Sequence, residues 1–482
     1  MAGNNLSLTQ VKNAETGAWG DERVDQRFDQ NSKGSSLSGR VVYTEPLGHD
    51  FFLEANYQYG WNRNTSFKNT VNNLTGEVDD RYSNQILNRS ITQRAGINFS
   101  YQKEKFRAQL GASINPTDTY NETTGHDPYR SKVINWSPQA MLNYEFNDNT
   151  NIRFFYWGRS SQPSTSQLLP VPDNSNPLNI SLGNPNLNPY FNHSIRGNFG
   201  YTNKKTFTSV HARFGAGLVE NAITNAQWYD KAGVQYSIPV NGPGTGNVDL
   251  RVMVNSPFGK SGFSIFSMTY GRYNQSTSFI GTNALDTEKY YNAEEASFDY
   301  NAFARDYADL SESDDFINNK TQTMSFTQRL RLTYRNDFVE LTVGGRTRMN
   351  KSWYTMENSQ LTATWNNQID ASMNWTIPGG INIISDVDYN WYNGYTTPQE
   401  DEVILNAEIT KLLFKNKCTR ALKAYDILGQ SKNLSVSDSS NYHLETRNNT
   451  LGRYIILSLT YRFGDFGAMQ NNRRGPGGPY RR

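Results

Sequence analysis

The chain has 482 residues, a net charge of +2, a mean hydropathy of -0.73 and only 36% hydrophobic residues. No run of about 18 apolar residues occurs, so a transmembrane helix is excluded. The near-neutral charge and the lack of a basic stretch interleaved with aromatics exclude nucleic acid as a partner. One cysteine, Cys418, excludes an intramolecular disulfide framework and reads as a spectator.

At the N-terminus, Met1 to Leu8 has neither the charged start nor the apolar core of a secretory signal. The chain is therefore expected to be a trimmed or truncated form of an exported protein. Residues 1–34 are expected to hold a partial strand and a loop, with Leu6 to Lys12 a short, weakly patterned strand. From 35 to 463 a period of two dominates. In Asp50 to Asn62, Phe51, Leu53, Ala55, Tyr57, Tyr59 and Trp61 share one face, against Glu54, Asn56, Gln58 and Asn62 on the other. One apolar and one polar face over about ten residues is what a membrane-barrel wall strand requires, because lipid meets only every second side chain. The average stays polar for the same reason, and the 13% aromatic content fits interfacial girdles.

The connections alternate between two kinds. Short ones fall near 46–50, 102–104, 147–149, 203–205, 257–261, 335–337, 378–380 and 415–418. Long ones fall near 63–86, 114–130, 160–190, 226–246, 274–320, 349–359, 393–401 and 428–452. Outer-membrane barrels keep short turns periplasmic and long loops outside, so the long loops are expected to be extracellular.

Loop 274–320 departs from the rest in composition. It carries ten acids against Lys289, Arg305 and Lys320, with aromatic rings between them. Its candidate ligand or cap residues are Asp286, Tyr290, Tyr291, Glu294, Glu295, Asp299, Tyr300, Asp309, Glu312, Asp314 and Asp315. Asp309, Glu312, Asp314 and Asp315 cluster as the oxygen donors of a Ca²⁺ site do. A solvated surface loop is the preferred reading of them, and neither a metal nor a cofactor is assigned.

Further on, Met324, Phe326, Leu330, Leu332 and Tyr334 alternate with Ser325, Thr327, Arg329, Arg331 and Thr333. Val339, Leu341 and Val343 alternate with Glu340, Thr342, Arg346 and Arg348. An arginine at the lipid midplane costs roughly 2–4 kcal/mol, so these charges need a wet lumen. The candidate lumen-facing residues are Arg329, Arg331, Glu340, Arg346, Arg348, Asp386, Asp388 and Glu408. Two readings stay open for them: a surface for a passing solute, or wall charges that pair with one another. In Leu361 to Thr376 the alternation is broken only by Asn367. The closing strand, Arg453 to Phe463, precedes a Gly/Pro/Arg-rich tail over 464–482, read as a disordered periplasmic extension.

About seventeen strands fit the period-two template, eighteen with Leu6 to Lys12. The predicted fold is all-β: a transmembrane antiparallel up-and-down β-barrel with long extracellular loops and short periplasmic turns. The five histidines are scattered, and no nucleophile, P-loop or zinc motif occurs, so no enzyme activity is expected.

Three stretches add a family likeness: Asn147-Asp148-Asn149-Thr150-Asn151-Ile152-Arg153-Phe154-Phe155-Tyr156, then Gln162-Pro163-Ser164 with Gln167-Leu168, then Gly183-Asn184-Pro185-Asn186-Leu187-Asn188-Pro189. Together with Lys411 to Lys417, Ala424 to Leu428 and Tyr461-Arg462-Phe463, they resemble the barrel of TonB-dependent receptors over about 35–465. Tyr190 departs from the usual Glu. The resemblance implies a 22-stranded barrel in the outer membrane and a plug domain. It also implies uptake of a nutrient ligand energised by the TonB complex acting through that plug. Residues 1–34 are too few for a plug, so a fragment of a longer receptor is expected. The alternative is a non-transporting barrel that serves as a scaffold or partner subunit. The partners in view are outer-membrane lipid, the TonB complex, and a surface lipoprotein or other outer-membrane subunit.

Overall fold

The computed structural model describes residues 2–12, 19–73, 75–78, 83–124, 128–168, 173–176, 179–231, 233–282, 285–292, 297–307, 310, 313–355, 363–395, 399–414, 417–431, 434–438, 443–447 and 452–461. Its strands, in chain order, begin with β1 (Ala2–Lys12), β2 (Trp19–Gly48), β3 (Phe51–Asn72), β4 (Asn84–Lys103), β5 (Phe106–Thr123), β6 (Tyr129–Asn147) and β7 (Thr150–Ser161). After the short helix α1 (Thr165–Leu168) come β8 (Asp173–Asn176), β9 (Asn179–Ser181), β10 (Tyr190–Thr202), β11 (Ser209–Glu220), β12 (Ile223–Tyr229), β13 (Gln235–Asn241), β14 (Thr245–Pro257) and β15 (Phe263–Gly281). Then follow β16 (Tyr291–Asn292), β17 (Ser297–Phe298), helix α2 (Tyr300–Asp306), β18 (Phe316–Arg335), β19 (Val339–Tyr354), β20 (Thr364–Ile377) and β21 (Ile381–Asn393). The chain ends in β22 (Glu402–Leu413), β23 (Cys418–Tyr425), β24 (Leu434–Asp438), β25 (His443–Arg447) and β26 (Tyr454–Tyr461).

Among the described residues, twenty-two strands share one sheet. Four of them, β8, β9, β12 and β13, are loop strands attached at its margin. The remaining eighteen form an antiparallel meander, each paired with the next wall strand along the chain. The wall begins before residue 35: β1 and the first part of β2 pair along their length. The closing strand is described from Tyr454 to Tyr461, and the tail over 464–482 lies outside the described residues.

The outward face is apolar, as the alternation requires. Ile134 and Trp136 on β6, Leu110 on β5 and Leu457 on β26 all stand exposed, the last at 79%. Rings line the short-turn end of this face. Phe51 lies 4.7 Å from Tyr101, Tyr101 lies 6.0 Å from Phe106, and Tyr144 lies 4.8 Å from Phe146. A girdle of aromatic rings at one level is the mark of a membrane interface. Towards the long-loop end the outward face turns polar, where Arg130 grips Asp118 with bonds of 2.9 and 2.6 Å.

Several strands run further than periodicity predicts. β3 continues to Asn72 and β15 to Gly281, into stretches expected to be loop. Beyond the apolar band both faces meet water, so alternation fades although backbone pairing continues.

Candidate functional site: the inner face of the wall and the cap at its long-loop end

The inner face is built by polar side chains in rows perpendicular to the strands. One row joins Asn198, Arg213, Arg251, Tyr270, Thr327 and Arg348 across β10 to β19. The next holds Arg329 opposite Arg346, then Gln368. The row after that runs Arg331, Gly344, Asp370, Asp388. The register puts the candidate lumen residues on one side of the sheet. The acids among them are engaged. Asp388 accepts from Gln368 at 2.8 Å and Asp386 from Asn406 at 2.7 Å. Glu408 pairs with Lys423 at 2.9 Å, and Arg335 donates to Glu340 at 2.8 Å.

The long loops fold into a cap with a core of its own. Strands β12 and β13 form a hairpin, β13 runs parallel to β9, and β12 runs parallel to the far end of β15. At its centre Trp228, 1% exposed, stacks on Tyr236 at 5.7 Å and on Phe303 at 5.4 Å. Its indole N–H donates to Thr287 Oγ1 at 3.3 Å. A buried indole needs such an acceptor.

Tyr290 and Tyr300 belong to this core, 6% and 8% exposed. Tyr291 packs edge-on to Tyr236 at 5.6 Å. Asp299 caps α2, accepting from the backbone N–H of Asn301 at 3.1 Å and of Ala302 at 2.9 Å. An Asp at that position satisfies donors the helix cannot. Asp315 accepts from the Tyr307 hydroxyl at 3.1 Å, while Asp286 and Asp314 are exposed. Glu294, Glu295, Asp309 and Glu312 lie outside the described residues. Among the described residues no group of three or more His, Cys, Asp or Glu is placed to hold a metal.

Burial pushes the Tyr290 phenol up to about 12, helped by its 2.6 Å hydrogen bond to Asp306. Burial first, then the Asp230 charge, does the same for Tyr236, also to about 12. Burial raises Tyr300 and Tyr307 as well. The Lys289 hydrogen bond, followed by that of Tyr290, holds the Asp306 carboxyl below its ordinary range.

Sequence reasoning overlooked the asparagines that lace the cap. Asn184 Nδ2 donates to Pro239 O at 2.9 Å, and its Oδ1 accepts from Asn186 N at 2.9 Å. Asn241 accepts from Asn188 N at 2.7 Å and donates to Asn188 O at 3.0 Å. The repeated Asn-Pro pattern is the available signal, since Asn side chains bond backbone locally and proline fixes the turn. Beside this lacing lies a cavity of about 340 Å³ lined by Asn184, Asn188, Phe279, Tyr300 and Tyr307. Trp228 also escaped notice, as did the partners of Asp370, because only the packing and the strand register give them.

An eighteen-stranded wall, apolar and aromatic outside and polar within, defines an integral outer-membrane β-barrel. The chain belongs to the outer membrane protein beta-barrel family, whose model matches residues 3–335. No curated protein matches its sequence. Among solved structures it is similar to the ferric-catecholate import receptor Fiu of Escherichia coli K12. The identity is 12% and the TM-score 0.46, over 95% of this chain and 60% of that one. It is also similar to the ferripyoverdine receptor of the Pseudomonas aeruginosa outer membrane, at 8% identity and a TM-score of 0.39, over 93% and 68%. The copper transporter OprC gives 9% and 0.40, over 92% and 76%.

Proposed function

We propose that this chain forms the wall and cap of a TonB-type receptor that takes up a nutrient ligand across the outer membrane. The observation that carries this reading is the pairing of a polar inner face with a cored cap at the long-loop end. A structural scaffold needs an apolar outer face but not an inner face charged over many rows. In this reading the cap faces outside, the short turns face the periplasm, and the cap loops select the ligand. An energising complex then works through a plug domain, and the wall provides the passage.

Deleting the full-length gene from its own genome tests the function. Wild-type and deletion strains are compared on iron chelates, glycans and peptides supplied singly as limiting nutrients. Growth on one of these is expected to be lost on deletion, and to be lost in the wild type when a protonophore collapses the membrane potential. Equal growth of both strains on every source overturns the reading. For orientation, a membrane-impermeant maleimide should label Lys231→Cys in the cap on intact cells but leave Lys260→Cys, in a short turn, unlabelled.

A further inference from the structure

The acids of β21 and β22 are better satisfied than most inner-face arginines, although the buried Oδ1 of Asp370 on β20 has no hydrogen-bond partner. Asp386, Asp388 and Glu408, on β21 and β22, each have a partner within 2.9 Å. Arg335 is paired with Glu340 and Arg272 stands opposite Asp249, but Arg213, Arg251, Arg329, Arg331 and Arg346 have no acid that close. Arg213 stands directly opposite Arg251, and Arg329 directly opposite Arg346. Like charges in that position destabilise a sheet. Among the described residues Arg213 donates only to the Asn198 amide oxygen at 3.1 Å, and Arg251 only lies over the Tyr270 ring at 4.9 Å. Arg331 reaches Asp370 at 3.9 Å, while among the described residues the guanidinium groups of Arg329 and Arg346 make no hydrogen bond or ion pair. The buried Nε atoms of Arg251, Arg329 and Arg331 have no acceptor. Along β11, β14, β15 and β18 the inner face offers a single carboxylate, Asp249.

We propose that this arginine arc is an anion-binding track, and that the cargo carries carboxylate or phosphate groups. The proposal rests on the uptake reading above. A guanidinium presents a planar fork of N–H donors that fits either oxyanion in a bidentate manner. The arc spreads over three successive rows instead of converging on one point. An anion can therefore pass from one guanidinium to the next, which transit requires: sites attractive enough to enter and numerous enough to leave. The acids of β20 to β22 repel the same anion and hold it to the arginine side.

The test is a calorimetric titration of the full chain, folded in detergent, with inorganic pyrophosphate at low salt. Saturable binding is expected, and it should weaken as salt is added. It should fall about tenfold per arginine removed, so about 100-fold in Arg329→Gln/Arg346→Gln. Lys103→Gln, a matched loss of charge in a short turn, should bind as the wild type does. Heat-modifiable migration on a gel confirms that each variant is folded, and Arg213→Gln/Arg251→Gln serves as an independent second pair. Equal binding by wild type and both pairs overturns the proposal. So does no binding by the wild type, which assigns the arginines to an acidic polypeptide surface inside the wall. Calorimetry needs no energised membrane. A negative titration beside a positive growth test therefore leaves uptake of a neutral ligand, and the reverse leaves an anion site without transport.

Discussion

Arg331 and Asp370 stand on strands that do not touch, yet the Arg331 guanidinium lies 3.9 Å from Asp370 Oδ2. The residue between them on β19 is Gly344, directly opposite both. A methyl group at Gly344 lies 2.7 Å from Asp370 Oδ2 and 2.8 Å from Oδ1. Gly344→Ala is therefore expected to push the carboxylate aside and separate the pair. The loss should be about 1–3 kcal/mol, read as a lower urea midpoint for the wall folded into vesicles. A wild-type midpoint would show that the glycine is not needed for the approach.

The same device recurs at Gly111, with less room to yield. Asn98 donates to Glu54 at 2.9 Å and accepts from Gln139 at 2.6 Å, so its amide crosses β5 where Gly111 lies. A methyl group there meets Asn98 Oδ1 at 1.9 Å and the backbone oxygen of Ile97 at 2.9 Å. Backbone cannot swing away as a carboxylate can. Gly111→Ala should thus cost more than Gly344→Ala, about 2–3 kcal/mol in the same urea assay. The reverse order would contradict the geometry.

These crossings mark what was legible in the sequence. Where one face meets lipid and the other water, each residue's side is fixed by its polarity. Arg329, Arg331, Arg346 and Arg348 were accordingly placed on one face without a structure, as were the short turns near His49 and Asn149. Register was not legible, because alternation says which face a residue takes and not which residue it opposes. Gly344 between Arg331 and Asp370 is a fact of register. The cap was hidden for a different reason. Its rings follow neither period, so Tyr290 and Tyr300 looked like exposed candidates when their neighbours are Trp228, Phe298 and Phe303.

The cap should loosen without the wall. Trp228→Ala removes the ring on which Tyr236 and Phe303 stack, a loss of about 3–5 kcal/mol for a buried aromatic. The wall's backbone ladder meets that core only at its far end, where Phe279 of β15 and Phe316 of β18 lie. Limited proteolysis should therefore cut within 282–315 far sooner in the variant, while heat-modifiable migration stays as in the wild type. Loss of both together would mean that cap and wall fold as one unit.

Alkaline pH should act on the same core. The folded state holds the Tyr290 and Tyr236 protons up to about 12, whereas a tyrosine in an unfolded chain releases its proton near 10. That difference favours the folded cap below about pH 10 and fades as pH rises from about 10 to about 12. Protease sensitivity of 282–315 should rise across that window. Tyrosinate absorbance should show a late-titrating group of rings, absent from Trp228→Ala. A cap equally resistant at pH 9 and pH 12 would remove these phenols from its stability.

Asn367, the residue that breaks the alternation of its strand, faces outward, and the register explains how it is tolerated there. Thr269, Gln328, Thr347 and Asn367 form a row across β15, β18, β19 and β20. Thr269 donates to Gln328 at 2.6 Å, and Thr347 to Asn367 at 2.6 Å. Leu330 and Ile369, in the neighbouring row, are exposed as lipid-facing residues should be. A polar pair in that setting is stable because each member satisfies the other, not because the site favours polarity. Replacing one member strands its partner, whereas replacing both leaves nothing unpaired. Asn367→Leu alone should therefore gain little or lose about 1 kcal/mol. Thr347→Val with Asn367→Leu should match or exceed the wild type. The positive coupling in a double-mutant cycle of urea midpoints is the quantity to measure. Simple additivity would show that the two side chains do not depend on each other.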